Sequence, residues 1–301
     1  MKTLLTGADG LVGSTIDAEL RISGRDQVDL RNWDSTERYF RLHTPDTVIH
    51  TAARVGGLGA NMNNMADFYY DNILINSNVL EAARKFSVPR VVSFLSTCIF
   101  PDDTQYPLTE DKLHQGEPHF SNFGYAYAKR MLEVHSRALR VQHGVEYTCV
   151  IPTNVYGPRD NFSIDNGHVI PSLIHKCYLA KRDNTDFVVW GSGSPLREFI
   201  FSEDVGDLTN IICEKYRGSD PLILSTCKET SIGEVAGIIA YLLDYKGKII
   251  FDSSRPDGQL RKPTSNVKLL DFVPDYQFTP LVEGMKKTVE WFVANYDRCR
   301  K

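Results

Sequence analysis

Three glycines spaced three apart, Gly7, Gly10 and Gly13, follow directly on residues 2–6, which read as a strand. No other feature constrains the fold as much. A strand that ends in such a loop brings bare backbone to one point, where amide N–H groups can meet a pyrophosphate. That loop opens a doubly wound sheet, which requires strands and helices to alternate afterwards. Short β-branched runs at residues 47–50, 90–95 and 147–151 do alternate with helical stretches at residues 65–86 and 125–143. Residues 11–22 carry Leu11, Val12, Ile16 and Leu20 near helical spacing. They are expected to form the first helix, its positive end toward the phosphates. The expected fold class is therefore α/β, a Rossmann-type doubly wound parallel sheet.

After Gly157 the alternation loosens. Residues 159–167 read as loop, 169–181 as helix and 187–190 as strand. Helices are expected near 204–216 and 231–243, a strand near 248–251, a polar loop over 252–262 and a final helix near 280–296. Residues 1–157 are expected to form the cofactor domain, with later segments returning to it. Residues 158–301 would form a smaller, mainly substrate-binding α/β part.

The bulk numbers narrow the partners. Of 301 residues, 42% are hydrophobic and 24% charged, an ordinary globular balance. Net charge is -4 and the pI about 6.1, so the basic field of a nucleic-acid or membrane-surface binder is missing. No run approaches the roughly 20 apolar residues of a membrane helix, and glycine and aspartate interrupt the N-terminus too early for a signal peptide. A soluble cytoplasmic protein is expected, with no nucleic-acid or membrane partner. Six cysteines form no C-x-x-C pair, so no metal is expected and most read as buried thiols.

Tyr125 and Lys129 are four apart at the start of a helix, hence on one face. An ammonium near a phenol favours the phenolate and lowers a pKa of about 10. Ser96 stands at the end of the 90–95 strand, where open parallel sheets hold ligands. Its hydroxyl suits a substrate carbonyl beside the tyrosine, and Lys129 also suits the nicotinamide ribose. Past the first loop, Arg25 would pair with a 2′-phosphate, whereas Asp26 would hold a ribose hydroxyl. Arg25, and with it NADP(H), is the preferred reading.

Ser96, Tyr125 and Lys129 behind the glycine loop have the spacing of the short-chain dehydrogenases, and Thr153-Asn154-Val155-Tyr156-Gly157-Pro158 resembles their extended branch. Further motifs are Arg54-Val55-Gly56-Gly57, Thr97-Cys98-Ile99-Phe100-Pro101, Asn161-Phe162 with Gly167-His168-Val169-Ile170-Pro171, the stretch from Val188 to Phe199, and Arg255-Pro256-Asp257-Gly258-Gln259-Leu260-Arg261-Lys262. In this order they resemble the GDP-L-fucose synthase family over nearly the whole chain.

The resemblance implies a 3,5-epimerase and 4-reductase acting on GDP-4-keto-6-deoxy-D-mannose with NADPH. It implies acid–base roles for Cys98 and His168, and the chemistry suits them. A 4-ketone acidifies the hydrogens at C3 and C5, and inversion needs a base on one face and an acid on the other. A thiol near about 8.5 and an imidazole near about 6.5 are both reachable. The candidate cofactor contacts are Gly7, Ala8, Asp9, Gly10, Leu11, Val12, Gly13, Arg25, Ser96, Lys129 and His168, to which the resemblance adds Phe94, Leu95, Pro152, Asn154 and Val155. The implied substrate contacts are Lys176, Trp190, Arg197 and Asp257, with Lys262 a further basic candidate. A homodimer through the helices at 65–86 and 125–143 is implied as well. The chain departs from the family pattern at Asp9, Thr97, Phe100, Gly167 and Lys176. Other readings are another extended dehydrogenase acting on a nucleotide sugar (4-reductase, 4,6-dehydratase or 4-epimerase) and a catalytically silent NADP-binding protein.

Overall fold

The computed structural model describes residues 2–255 and 257–301; Pro256, inside the last of the motifs above, lies outside them. The strands are β1 (Thr3–Thr6), β2 (Leu20–Ile22), β3 (Thr47–His50), β4 (Arg90–Phe94), β5 (Glu146–Pro152), β6 (Asn154–Tyr156), β7 (Phe187–Trp190), β8 (Leu196–Phe201), β9 (Leu222–Leu224), β10 (Glu229–Ser231) and β11 (Ile249–Asp252). The helices are α1 (Trp33–His43), α2 (Leu58–Asn63), α3 (Met65–Lys85), α4 (Phe123–His143), α5 (Val169–Asp183), α6 (Ser202–Lys215), α7 (Ile232–Leu242), α8 (Val267–Phe272) and α9 (Leu281–Ala294).

The central sheet runs β2-β1-β3-β4-β5-β9 with every neighbouring pair parallel. Its inner strands are buried on both faces, as continuous runs such as Val91-Val92 in β4 require. On one face α3 and α4 bury Val79, Leu80, Leu132 and Leu139 against Val91. On the other, α6 packs Val205, Leu208 and Ile212 against Val92, Val150 and Ile200. A third core, built from Ile174 of α5, Val235 and Ile239 of α7, Met285 and Phe292 of α9 and Phe187 of β7, lies apart from these. Beside it stand a three-stranded sheet, β10-β8-β6, and a parallel pair, β11-β7. The chain leaves β1 for β2, then crosses back over β1 to β3. The order reverses between β1 and β3, and open α/β sheets bind ligands at that switch point.

Residues 11–22 are not the expected helix. They hold one 3-10 turn at Gly13–Thr15, an extended Ile16 (φ -109°, ψ 127°) and then β2. The reason is length. The chain must return along β1, whose four residues span about 13 Å. Between the last glycine of the loop and Leu20 there are six residues, and as a helix they would rise only about 9 Å. The extended path is the one that reaches. The apolar pattern finds other uses: Ile16 is buried against α6, and Leu20 opens β2. Arg21 supplies the missing polar support. Its guanidinium donates to Ile16 O at 2.8 Å, Ala8 O at 3.1 Å and Gly13 O at 3.2 Å. Thr15 Oγ1 bridges Val12 O and Ser202 O, fixing the turn to the start of α6. The phosphate loop thus rests on a guanidinium and α6, and the expected helix dipole does not back it.

Candidate active site

A cavity of about 1100 Å³ runs along the carboxyl ends of the parallel strands, and Gly7, Ser23, Thr51, Ser96 and Thr153 all line it just past a strand end. Its first wall is the glycine loop. Gly7 has φ +73°, and a Cβ there would lie 2.8 Å from Thr51 Oγ1 and Ala52 N. A Cβ on Gly13 would lie 2.1 Å from Gly7 O. Both contacts involve backbone that cannot retreat, so only glycine fits. Gly7, Asp9, Gly10, Leu11, Val12 and Gly13 line the cavity, while Ala8 is buried beneath and offers its carbonyl to Arg21. Asp9 accepts from Ser23 Oγ at 3.0 Å.

Past β2, Arg25 lines the same cavity and Asp26 does not. Arg25 lies 3.6 Å from the buried Asp71 carboxylate, which also pairs with Arg31 at 3.4 Å and Arg54 at 2.9 Å. Arg31 is forked onto Asp29 as well, at 2.7 and 3.0 Å. Three guanidinium groups thus converge on Asp71 beside the cavity, their charge offset in part by Asp29 on Arg31 and Asp67 on Arg54. Sequence reasoning named Arg25 alone there, because Arg31 joins through contacts with a helix some forty residues away.

The reacting groups line the same cavity. Ser96 caps a 3-10 turn, Thr97–Ile99, its Oγ accepting from Cys98 N at 3.4 Å. One turn of backbone therefore presents both the hydroxyl and the thiol. Tyr125 and Lys129 reach the same space from α4, with Phe94, Leu95, Pro152, Asn154 and Val155 as further lining. Lys129 is buried and donates to Phe94 O at 2.7 Å; its Nζ lies 5.9 Å from the Tyr125 ring centre. Burial lowers its pKa to about 8. The expectation that Lys129 lowers the tyrosine pKa is not met. Burial, reinforced by the nearby Cys98, pushes Tyr125 well above the ordinary phenol value, and the ammonium is held by a carbonyl instead.

Burial also raises the Cys98 thiol, while Ser96 and the ammonium groups of Lys262 and Lys129 pull it back. Lys262 is itself lowered by burial and lines the cavity. His168 stands at the N-cap of α5 with its ring free of any capping bond. The Asp160 carboxylate holds its pKa above the usual imidazole value, against burial and Arg300. The thiol and the imidazole thus face one cavity together with Ser96, Tyr125 and Lys129.

Of the expected substrate contacts, Arg197 and Asp257 line the cavity. Asp257 accepts from Ser192 N at 2.6 Å and Ser192 Oγ at 2.8 Å, fixing the turn after β7. Lys176 and Trp190 lie outside the lining, stacked on each other at 3.9 Å with Arg255 at 5.1 Å from the same ring. The buried Glu198 clips two segments together. It accepts from Ser225 Oγ at 2.9 Å, Thr264 N at 3.0 Å and Thr264 Oγ1 at 2.5 Å.

Residues 3–224 match the model of the NAD dependent epimerase/dehydratase family, and the chain belongs to that family. It is 46% identical to the GDP-L-fucose synthase of Dictyostelium discoideum, over 99% of this chain and 97% of that protein. A probable GDP-L-fucose synthase of Drosophila melanogaster is 42% identical, over 100% and 99%. The crystal structure of a GDP-L-fucose synthetase from Naegleria fowleri bound to NADP superposes with a TM-score of 0.94 at 43% identity, covering 99% of this chain and 94% of that one. Within its family the chain belongs with the GDP-L-fucose synthases.

Proposed function

We propose that this protein converts GDP-4-keto-6-deoxy-D-mannose to GDP-L-fucose, inverting C3 and C5 and reducing the C4 ketone with NADPH. The observation that carries this reading is the meeting of Cys98, His168, Ser96, Tyr125 and Lys129 on one cavity. A reductase alone needs only the last three.

The cofactor fits the residues present. A Cβ on Gly7 or Gly13 would strike neighbouring backbone, so the loop stays bare at these positions and its amides suit a diphosphate. The guanidinium cluster suits a 2′-phosphate, with Arg25 its most exposed member. NADPH, when bound, supplies the hydride. The chain's own residues do the rest. Cys98 and His168 exchange protons with C3 and C5 from opposite faces of the ring. Ser96 and Tyr125 hold the C4 oxygen and stabilise the enolate charge that each inversion places there. Tyr125 then donates its proton to that oxygen, and its high pKa keeps the phenol protonated until that step. Lys129 fixes the end of β4 through Phe94 O and suits the nicotinamide ribose. Arg197 and Lys262 present charge to the substrate diphosphate, and the Lys176–Trp190 pair offers an apolar face with a cation beside it. In this reading the central-sheet half of the chain, residues 1–157 with the returning α6 and β9, serves the cofactor, and most of residues 158–301 serves the substrate.

We also propose a homodimer. Tyr127, Met131, Val134, Ala138 and Val141 form a partly to fully exposed stripe of 3.5-residue period along α4, and Tyr70 stands exposed on the neighbouring α3.

The test is turnover of GDP-4-keto-6-deoxy-D-mannose with NADPH, followed at 340 nm, with the product stereochemistry read by NMR. Tyr125→Phe is expected to slow reduction about 10²–10⁴-fold while deuterium uptake from heavy water at C3 and C5 persists. Cys98→Ser is expected to abolish that uptake. Reduction without inversion would leave a plain 4-reductase, and no turnover by the unaltered protein would leave a silent binding protein.

A further inference from the structure

The loop that carries His168 contains a buried carboxylate with unused capacity. Asp160 is 2% exposed, yet it lines the cavity. Its Oδ1 accepts from Asn161 N at 2.7 Å, while Oδ2 is buried and has no partner among the described residues. A buried carboxylate oxygen without a partner is costly and calls for an explanation. His168 Nδ1 lies 4.0 Å from Oδ1, an ion-pair distance. Among the described residues no hydrogen bond engages the imidazole Nε2.

The loop is built to keep this pair together. Arg159 adopts a left-handed backbone, φ 66°, and turns Asp160 inward. Phe162 is fully buried, its ring 4.5 Å from that of Phe292. Its N–H donates to Arg300 O at 2.8 Å and its carbonyl meets His175 Nδ1 at 2.8 Å. At the far end a Cβ on Gly167 would lie 2.4 Å from Asn161 O and 2.5 Å from Ser163 O. Glycine there allows the chain to close back on Asn161 and to set His168 beside Asp160. Two charged groups bear on the imidazole, Asp160 from its own loop and Arg300 from the C-terminal segment. Arg300 donates to Arg159 O at 3.0 Å and lines the cavity.

We propose that Asp160 and His168 work as a carboxylate–imidazole dyad in which Asp160 keeps the proton on Nδ1, so that Nε2–H faces the sugar and acts as the acid of the inversion steps. The inference rests on the role proposed above for His168. Asp160 is a positioning residue and touches no substrate. In each inversion the Cys98 thiolate takes the proton from carbon and leaves an enolate. His168 Nε2–H gives its proton to the opposite face of that carbon. The imidazole is then neutral, with Nδ1–H still held by Asp160. The thiol loses a proton to water and Nε2 regains one, so charge and protons balance over the cycle.

The experiment pairs Asp160→Asn with Arg300→Gln, each in the full chain. The His168 imidazole is titrated by ¹⁵N NMR, and deuterium uptake at C3 and C5 is measured against pH. In Asp160→Asn the imidazole pKa is expected to fall, and the alkaline limb of the uptake profile to move to lower pH, in kcat with KM unchanged. Arg300→Gln is expected to move both the other way, and the ¹⁵N shifts of His168 in the unaltered protein, expected to show the proton on Nδ1, test the dyad even where Asp160→Asn fails to fold. An imidazole pKa insensitive to both substitutions overturns the dyad. A shifted pKa with an unshifted uptake profile overturns its part in inversion. His168→Gln separates the two readings. Full inversion at C3 and C5 in that variant, read by NMR, removes His168 from the mechanism, whereas lost inversion with an unmoved Asp160→Asn profile sinks only the dyad.

Discussion

Replacing Arg21 with methionine tests the claim that a guanidinium stands in for the absent first helix. The side chain makes three hydrogen bonds to carbonyls, two of which, Ala8 O and Gly13 O, belong to the phosphate loop. An intramolecular hydrogen bond is worth about 0.5–1.5 kcal/mol net, and the lower part of that range applies because Arg21 is only partly buried and water can reach the site. The sum is about 2 kcal/mol. If the loop bears all of it, NADPH affinity falls about 30-fold. If the fold shares it, melting drops by about 4 °C at roughly 2 °C per kcal/mol for a chain of this size. Methionine keeps the apolar stem, so packing is little disturbed. Arg21→Lys recovers at most a fraction, because one ammonium nitrogen cannot take the places of the two guanidinium nitrogens that make these bonds. Calorimetry with NADPH and a thermal melt on the same samples read both quantities. If Arg21→Met binds NADPH as tightly as the unaltered protein and melts at the same temperature, the loop supports itself and the argument is wrong.

Lys129 gives a pH test with a definite sign. Its folded pKa is lowered to about 8 from 10.5, so the unfolded chain binds the extra proton between those values and stability rises with pH across that window. Urea midpoints of the unaltered protein are therefore expected to gain on those of Lys129→Met as pH climbs from about 8 toward about 10.5. Parallel curves would show that the ammonium carries no burial penalty. Met131→Glu places a charge in the exposed α4 stripe, and sedimentation at micromolar concentration is expected to show monomer for this variant and dimer for the parent. A dimer in both would move the interface elsewhere.

The sequence reveals most where a property is local. Tyr125 and Lys129 face the same way because four residues make one helical turn, and α4 runs over Phe123–His143, close to the expected 125–143. The strand at Thr47–His50 coincides with its expectation, since a short β-branched run bounded by turns has one reading. The first helix fails because its apolar spacing is compatible with a helix, while the distance the chain must cover is a property of the sheet. The helix α1 was missed although Asn32 caps it through Ser35 N at 2.8 Å, because its apolar residues are few. Asp160 gave no signal as a partner for His168. The turn that joins them depends on a left-handed arginine and on the room left by Gly167. The arginine cluster around Asp71 was half legible for the same reason: Arg25 lies beside the loop, but Arg31 and Arg54 arrive by tertiary packing.

The Glu198 clip limits how the cavity can admit a molecule as large as a sugar nucleotide. One side of Thr264 is bonded to Glu198 beside Arg197, and the flanking backbone pairs with Leu108 at Pro263 O and Ser265 N, 2.8 Å in each case. A stretch sewn along both margins resists displacement, which holds Lys262 near Arg197. The stretch just before it, residues 257–261, is held at the surface instead. Its ties to the rest of the protein include Asp257 to Ser192, Gln259 to Asp102 and Arg261 to Glu229, all at exposed positions.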